Sequence, residues 1–237
     1  MSGRLIGVGV GPGDPELLTL KGLRVLREAD EVFVPVADTG EVGRAEATVR
    51  EHVDSRSIKR LIFALSNDEE ARAQNWENAA REVSSQLSEG RVCAFATIGD
   101  PNVYSTFTYL ARTIRQHVPE VQIETVPGIT AMQDLASRSG TVLLESDERL
   151  ALLPFTAGEQ RLREALDHYE TVVCYKGGSR MDEVIRTAEE AGRLGGAVYG
   201  ARMGLDGEVI VAASEMPGRE APYLSTVVFT RKGAEFG

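Results

Sequence analysis

Short apolar runs alternate with longer segments of helical periodicity through the first half of the chain. Residues 4–10 form an apolar run that ends near a glycine, which is typical of a buried parallel strand. Residues 15–29 carry leucines at spacings of three and four, and this spacing predicts a helix with one apolar stripe. The same alternation predicts further strands at 31–36, 57–65, 91–97 and 121–126, and further helices at 69–89 and 103–117. Strands that alternate with helices favour a mostly parallel, open sheet covered by helices.

The second half of the chain has a different rhythm. After a predicted helix at 129–139, five strands follow with only two intervening helices, and the last strands come at short spacing. Short spacing favours hairpins and a mixed sheet. We therefore predict two α/β domains, an N-terminal one over 1–127 and a C-terminal one over 128–237. The predicted strands of the second domain are 149–155, 170–176, 196–202, 208–213 and 224–230, with helices at 159–168 and 180–191.

Composition and charge exclude several classes of protein. The formal net charge is −10, which disfavours nucleic-acid binding, because that affinity depends on cations placed against phosphates. The two cysteines, Cys93 and Cys174, lie in apolar runs and are expected to be buried thiols, and no Cys or His spacing indicates a metal site. The N-terminus does not resemble a signal peptide, and no apolar run approaches the roughly 18 residues of a transmembrane helix. We expect a cytoplasmic protein without a membrane partner.

A glycine-rich loop follows the first predicted strand, in the sequence GVGVGPGDPELL. A dinucleotide-binding turn needs glycine at its first, third and sixth positions. Counting from Gly7 places Pro12 sixth, and counting from Gly9 places Asp14 sixth, so neither register fits. Asp14 is also the expected N-cap of the helix, where its charge would repel a pyrophosphate. The loop is therefore not a diphosphate site; it either holds another ligand or is simply a tight, well-capped turn.

Two further loops with glycine and proline follow the fourth and fifth predicted strands. They read TIGDPNVYST and VPGITA. In a parallel sheet all three loops emerge at the carboxyl edge, where open α/β proteins bind their ligands. Asp100 supplies a carboxylate there, either as a helix cap or as a partner for a cationic or hydroxyl-bearing ligand. Thr130 and Ala131 are small and leave space for a planar ring.

Together these loops resemble the tetrapyrrole methylases that use S-adenosylmethionine. The blocks VGVGPGDPELLTLKG, GDPNVYST and VPGIT match that family in order and distance, and the resemblance covers nearly the whole chain. It implies an active site in the cleft between the two domains and a homodimer. It also implies cofactor contacts from the three loops and from two strand ends of the second domain, namely Pro12, Gly99, Asp100, Val103, Tyr104, Thr130 and Ala131, then Tyr175 or Lys176, and Ala201, Arg202 and Met203.

Within the family, three segments most resemble the members that methylate precorrin-2 at carbon 20 to give precorrin-3A in cobalamin biosynthesis. These segments are GDPNVYSTF, FVPVAD and CYKGG. Members that act on cobalt-factor II share the same features, so the metal state of the substrate stays open. The uroporphyrinogen methylases carry Tyr-Asp where this chain has Val34 and Pro35, so their proposed base cannot be carried over.

Location at the predicted edge makes Asp100 and Tyr104 the candidates for a catalytic group. The substrate carries many carboxylates, so basic residues near the first loop are candidates for binding it, although each is also a plausible solvated surface charge. We expect Arg44 and Arg50 to share one helix face and to be the first pair to test. The candidate substrate contacts are Gly13, Asp14, Lys21, Arg44 and Arg50.

Three other functions are alternatives to methylation of precorrin-2 at carbon 20. Precorrin-4 and diphthamide-type methyltransferases share the first block, and analysis of the product would distinguish them. A non-catalytic sensor of S-adenosylmethionine or of a tetrapyrrole would bind without turnover. A nucleotide-dependent oxidoreductase is disfavoured because the dinucleotide fingerprint fails.

Overall fold

The computed structural model of the chain describes residues 3–37, 40, 42–63, 69–216, 218 and 221–231. The chain divides into two compact units, Met1–Thr130 and Ala131–Gly237. The predicted boundary followed residue 127, three positions before the one observed.

The first unit is built on a five-stranded sheet in the order β3-β2-β4-β1-β5. Every strand pair in it is parallel, which confirms the parallel sheet predicted from the alternation of strands and helices. Its strands are β1 Arg4–Gly9, β2 Glu31–Val36, β3 Ile58–Ile62, β4 Val92–Thr97 and β5 Gln122–Val126. Its helices are α1 Leu20–Glu28, α2 Arg44–Arg50, α3 Glu69–Ser88 and α4 Phe107–His117.

The three central strands of this sheet, β2, β4 and β1, are largely apolar and buried because both faces of the sheet are covered. Side chains of successive residues point to opposite faces, so Leu5 packs with the α3 and α4 side chains and Ile6 packs with those of α1 and α2. Phe33 and Val34 divide in the same way. Such two-sided burial is what parallel sheets require.

The second unit contains a mixed sheet in the order β6-β7-β10-β8-β9. The β6–β7 pair is parallel and the other pairs are antiparallel, which confirms the predicted mixed sheet. Its strands are β6 Leu150–Pro154, β7 Thr171–Tyr175, β8 Ala197–Ala201, β9 Val209–Ala212 and β10 Ser225–Phe229. Its helices are α5 Ala131–Ser139, α6 Glu159–His168 and α7 Met181–Glu190. The α5 side chains cover one face of the sheet, and those of α6 and α7 cover the other.

The predicted helix at 15–29 is wrong at its start. Residues Pro15–Leu17 form a single 3-10 turn, and α1 begins only at Leu20. Asp14 caps the 3-10 turn by accepting a hydrogen bond from the Glu16 N–H, whereas Thr19 caps the α-helix by accepting from the Gly22 N–H. The chain carries two capping residues in succession, and each starts its own helical segment.

Two other predicted boundaries also differ. The helix predicted at 103–117 begins at Phe107, because Tyr104 has a φ of +48°, which no right-handed helix allows. The last two strands, β9 and β10, do not form the expected hairpin, because β10 lies between β7 and β8 in the sheet. Strands β8 and β9 do form a hairpin. The third strand ends at Ile62, and the rest of its predicted span includes residues 64–65, which lie outside the described residues.

Candidate functional site

The three glycine-containing loops follow three neighbouring strands of the first sheet. The first loop (residues 10–14) follows β1, the second (98–106) follows β4 and the third (127–130) follows β5, and β1 lies between the other two strands. Because all three strands are parallel, the loops emerge together at the carboxyl edge, as expected from the sequence. Open α/β proteins bind ligands at such an edge.

The first two loops continue the sheet through backbone hydrogen bonds. The Val10 N–H donates to the Thr97 carbonyl at 2.9 Å, and the Gly99 N–H donates to the Gly11 carbonyl at 2.8 Å. Gly11 and Gly99 have φ values of +84° and +68°, a region that residues with a Cβ rarely adopt. These glycines are therefore required by the backbone path that joins the two loops.

The end of β1 meets the second and third loops at glycines whose missing side chains allow the backbones to touch. A Cβ added to Gly9 would lie 2.4 Å from the Gly99 carbonyl oxygen, and one added to Gly128 would lie 2.1 Å from the same oxygen. No real Cβ makes contacts this short with a backbone atom. In contrast, a Cβ added to Gly99 would come no closer than 4.0 Å, to the Thr130 Cα, so the side of Gly99 that faces Thr130 has room.

Asp100 ties the second loop to the third. Its Oδ1 accepts a hydrogen bond from the Asn102 N–H at 2.8 Å, and its Oδ2 accepts one from the Gly128 N–H at 3.1 Å. Asn102 also ties the second loop to β5, since its Nδ2 donates to Thr125 Oγ1 at 3.3 Å. Both carboxylate oxygens therefore have backbone partners, which suits an anchor better than a group that exchanges protons.

Tyr104 stands out within the second loop because it is half exposed and has a left-handed backbone. Its side chain is 45% exposed, and its φ of +48° is uncommon for a residue other than glycine. The base of the loop is fixed next to it, since Thr97 Oγ1 and Ser105 Oγ lie 3.0 Å apart and Ser105 Oγ accepts a hydrogen bond from the Phe107 N–H. Strained conformations of this kind concentrate at functional sites.

The remaining predicted contacts of the first unit lie around the first and third loops. Pro12, Gly13, Gly99 and Thr130 are buried, and Val103 is half-buried. The Gly13 carbonyl accepts a hydrogen bond from the buried Thr48 hydroxyl at 3.3 Å, which ties the first loop to α2.

The prediction that Arg44 and Arg50 share a helix face is wrong. They are the first and last residues of α2, six positions apart, which places them about 120° apart around the helix. Arg50 is held by Glu46, which is 1% exposed and pairs with Arg50 Nη2 at 2.6 Å and with Arg60 Nε at 2.9 Å. Lys21 is exposed on α1. The fold therefore engages Arg50 in an ion pair with Glu46. Lys21 and Arg44 stay candidates for contact with a carboxylate-bearing ligand.

The second unit brings its predicted contacts to one edge of the mixed sheet. Ala201, at the end of β8, pairs with Ser225, the first residue of β10, and the Lys176 N–H donates to the Ser225 carbonyl at 3.3 Å. Tyr175 ends β7, and its hydroxyl accepts a hydrogen bond from the Met132 N–H at 3.0 Å. The ends of β7 and β8 therefore flank the start of β10.

The side chains at this edge differ in what they offer to a ligand. Ala201 and Met203 are buried, and their side chains belong to the apolar clusters on the two faces of the sheet. Lys176 and Arg202 have left-handed φ values of +60° and +54°. Burial lowers the pKa of the Lys176 ammonium, whose Nζ lies 5.9 Å from the centre of the Tyr223 ring.

Candidate residues in both units have a strained backbone conformation. Among the described residues, the non-glycine positions with a left-handed φ are Tyr104, Ser146, Lys176 and Arg202. Three of these four carry predicted contacts. The sequence placed Asn102 and Ser105 in the second loop but gave neither a role, because their hydrogen-bond partners are set only by folding.

The described ranges contain no group of three or more His, Cys, Asp or Glu side chains placed to hold a metal ion. Over the same ranges, every helix is too short or too polar to cross a lipid bilayer.

Comparison with known proteins places the chain among enzymes of one family. Residues 4–216 match the family of Tetrapyrrole (Corrin/Porphyrin) Methylases. A probable cobalt-precorrin-2 C(20)-methyltransferase of Methanocaldococcus jannaschii is 38% identical, over 73% of this chain and 72% of its own. A precorrin-2 C(20)-methyltransferase of a Sinorhizobium species is 34% identical, over 95% of this chain and 94% of its own.

A solved structure shares the fold over nearly the whole chain. The crystal structure of uroporphyrin-III C-methyl transferase from Thermus thermophilus, complexed with S-adenyl homocysteine, has a TM-score of 0.65 and 22% identity to this chain. The match covers 97% of this chain and 98% of that one. Both sheets therefore belong to the fold that the comparison identifies.

Proposed function

Because the chain belongs to the tetrapyrrole (corrin/porphyrin) methylases, we propose that it transfers a methyl group from S-adenosylmethionine to carbon 20 of precorrin-2. The observation that carries the proposal is the likeness to relatives named for this reaction, which extends over most of the chain. The product would be precorrin-3A. Relatives named for precorrin-2 and for cobalt-precorrin-2 are similar to this chain to a comparable degree, so both substrates belong in the test.

The three loops have the chemistry that S-adenosylmethionine requires. The ligand has a carboxylate, an ammonium and a ribose but no phosphate, which suits loops made of backbone groups and small residues. Asp14 at the first loop would oppose a phosphate. Gly99 and Thr130 lie next to each other and are small, which suits a surface for a planar ring. We assign cofactor contacts in the first unit to Pro12, Gly99, Asp100, Val103, Tyr104 and Thr130.

The second unit supplies the other proposed cofactor contacts. Lys176 presents a cation, and Arg202 is exposed between two buried neighbours. Ala201 and Met203 would contribute backbone groups. Ala131 and Tyr175 are the remaining candidates.

The chain's own contribution to the reaction is alignment. Bound S-adenosylmethionine supplies a methyl group on a sulfonium, which is already an activated leaving group, and the electron-rich ring carbon is already nucleophilic. Holding two reactants in line lowers a barrier by several kcal/mol. The glycine contacts and the Asp100 anchor fix the loops before a ligand arrives, so the loops need little rearrangement.

Asp100 and Tyr104 have different roles in this proposal. Asp100 acts as a positioning residue, since both of its oxygens already accept backbone hydrogen bonds. The half-exposed Tyr104 is the candidate to touch the tetrapyrrole and to hold or move a proton at its hydroxyl oxygen. Lys21 and Arg44 are proposed to meet substrate carboxylates, and Arg50 forms an ion pair with Glu46.

The test is an anaerobic incubation with S-adenosylmethionine and either precorrin-2 or cobalt-precorrin-2. We expect S-adenosylhomocysteine to form and one of the two substrates to gain one methyl group. Mass spectrometry detects both products. Cofactor binding without turnover on either substrate would favour another acceptor or a sensor. No cofactor binding would refute the proposal. Homodimerisation stays a prediction, which light scattering coupled to size-exclusion chromatography will test.

A further inference from the structure

The turn between β8 and β9 contains three residues with a left-handed backbone conformation. Arg202, Gly204 and Gly207 have φ values of +54°, +72° and +78°. Two successive backbone bonds shape the turn, from the Leu205 N–H to the Arg202 carbonyl at 2.9 Å and from the Glu208 N–H to the Leu205 carbonyl at 3.1 Å. A non-glycine residue in this conformation persists only where its surroundings impose it.

Glu208 joins this turn to α5 through one carboxylate oxygen. Its Oε2 accepts a hydrogen bond from the Gly204 N–H at 2.7 Å and another from Arg138 Nη1 at 3.0 Å. The first bond closes the turn on itself. The second connects the closed turn to a helix that is distant in sequence. Charge-assisted bonds of this kind are stronger than those between neutral groups.

Arg138 is itself fixed from the other side by a buried carboxylate. Its Nε donates to Asp134 Oδ1 at 2.8 Å, and Asp134 is 5% exposed. The second oxygen of Asp134 is buried and makes no hydrogen bond to any residue that the structure describes. A buried carboxylate is costly without a paired cation, so the Arg138 guanidinium is held firmly where it meets Glu208.

The helix α5 connects this network to both strand ends of the candidate site. At its start, the Met132 N–H donates to the Tyr175 hydroxyl at the end of β7. In its middle, Leu135 packs against Gly200, where an added Cβ would lie 2.6 Å from Leu135 Cδ1. Near its end, Arg138 reaches the β8–β9 turn. One helix therefore sets the positions of the β7 and β8 ends relative to each other.

We propose that Glu208 and Arg138 are positioning residues that hold the β8–β9 turn in the conformation that binds S-adenosylmethionine. The proposal rests on the proposed function, because it assumes that Ala201, Arg202 and Met203 contact this cofactor. Neither Glu208 nor Arg138 touches the cofactor in this account. Their effect is to order the turn before binding, so that binding does not have to order it.

The test compares Glu208→Ala with Glu208→Gln and with a matched control, Glu190→Ala. Glu190 makes an ion pair of the same kind with Arg163, between α7 and α6. Cofactor affinity is measured by titration calorimetry, the fold by thermal unfolding, and release of the turn by hydrogen exchange of the peptide that contains Gly204. Glu208→Ala leaves the buried Asp134–Arg138 pair in place, so we expect it to fold.

We expect Glu208→Ala to weaken cofactor binding about tenfold. In this variant the turn has to be ordered when the cofactor binds, and the free-energy cost of that ordering reduces the affinity. Hydrogen exchange at Gly204 should become faster. Glu208→Gln keeps an acceptor for the Gly204 N–H and should recover most of the affinity, and Glu190→Ala should bind like the unaltered protein. Unchanged affinity in Glu208→Ala, with binding by the unaltered protein, would overturn this proposal alone. Failure of the unaltered protein to bind would refute the proposed function and this proposal with it.

Discussion

Replacing Gly128 by alanine would test the glycine contact that joins the end of β1 to the second and third loops. The added Cβ would lie 2.1 Å from the Gly99 carbonyl oxygen and 2.7 Å from the Gly9 Cα, and both are backbone atoms. Overpacking of this kind costs about 1–3 kcal/mol. A shift of the third loop would also break the Gly128 N–H bond to Asp100, and a bond to a charged group contributes about 1.5–3 kcal/mol. The two effects sum to about 2.5–6 kcal/mol, and at about 2 °C per kcal/mol for a chain of this size they lower Tm by roughly 5–12 °C.

The assay combines thermal unfolding with calorimetric titration of S-adenosylmethionine. We expect Gly128→Ala to lower Tm by the amount above and to weaken cofactor binding by more than about tenfold, because displaced loops no longer present aligned backbone groups. Gly195→Ala is the matched control, since an added Cβ there meets nothing within 4 Å and its φ is not left-handed. A Gly128→Ala variant with the Tm and affinity of the control would show that the close contact of Gly128 with Gly99 and Gly9 does not hold the loops in place.

Three further predictions follow from the site and the core. Asp100→Asn leaves one acceptor oxygen for two backbone donors, so unfolding free energy should fall by about 1–3 kcal/mol and cofactor affinity should fall with it; an unaltered Tm would contradict the anchoring role. Arg44→Ala should raise KM for the tetrapyrrole, whereas Arg50→Ala should lower Tm and leave KM unchanged; the reverse pattern would exclude Arg44. Burial raises the pKa of the Cys93 and Cys174 thiols to about 12, so a thiol reagent should label neither before denaturation. Because unfolded thiols ionise near pH 9 while folded ones keep their protons, unfolding free energy should fall as the pH rises above that value.

The architecture could be predicted from the sequence because the connections between strands differ in the two halves of the chain, with helices between the strands of the first half and short spacing between the last strands of the second. Continuous apolar strands separated by helices fit a sheet covered on both faces, and this prediction is confirmed. The position of β10 could not be predicted, since the spacing between strands gives the length of a connection but not the neighbour that a strand pairs with. The start of α1 was missed because Asp14 and Thr19 are both good caps and the leucines fit either start.

The loops of the candidate site could be predicted from the sequence, but the roles of individual residues in them could not. Asp100 was a candidate for chemistry, yet its oxygens accept from N–H groups at Asn102 and at Gly128, 28 positions away. The bond between Arg138 and Glu208 spans 70 positions and leaves no periodic signal in the chain. Glycine motifs are local patterns, whereas the hydrogen bonds that hold them depend on the folded topology.

The position of the transferred methyl group on the product distinguishes the carbon-20 reaction from methylation at other ring carbons. The protein is incubated anaerobically with precorrin-2 and with S-adenosylmethionine that carries a 13C-labelled methyl group, and the product is analysed by NMR. We predict a single labelled methyl group on carbon 20. A label on any other carbon would contradict the assignment of this chain to the carbon-20 reaction, and a product without a label would contradict methyl transfer to this substrate.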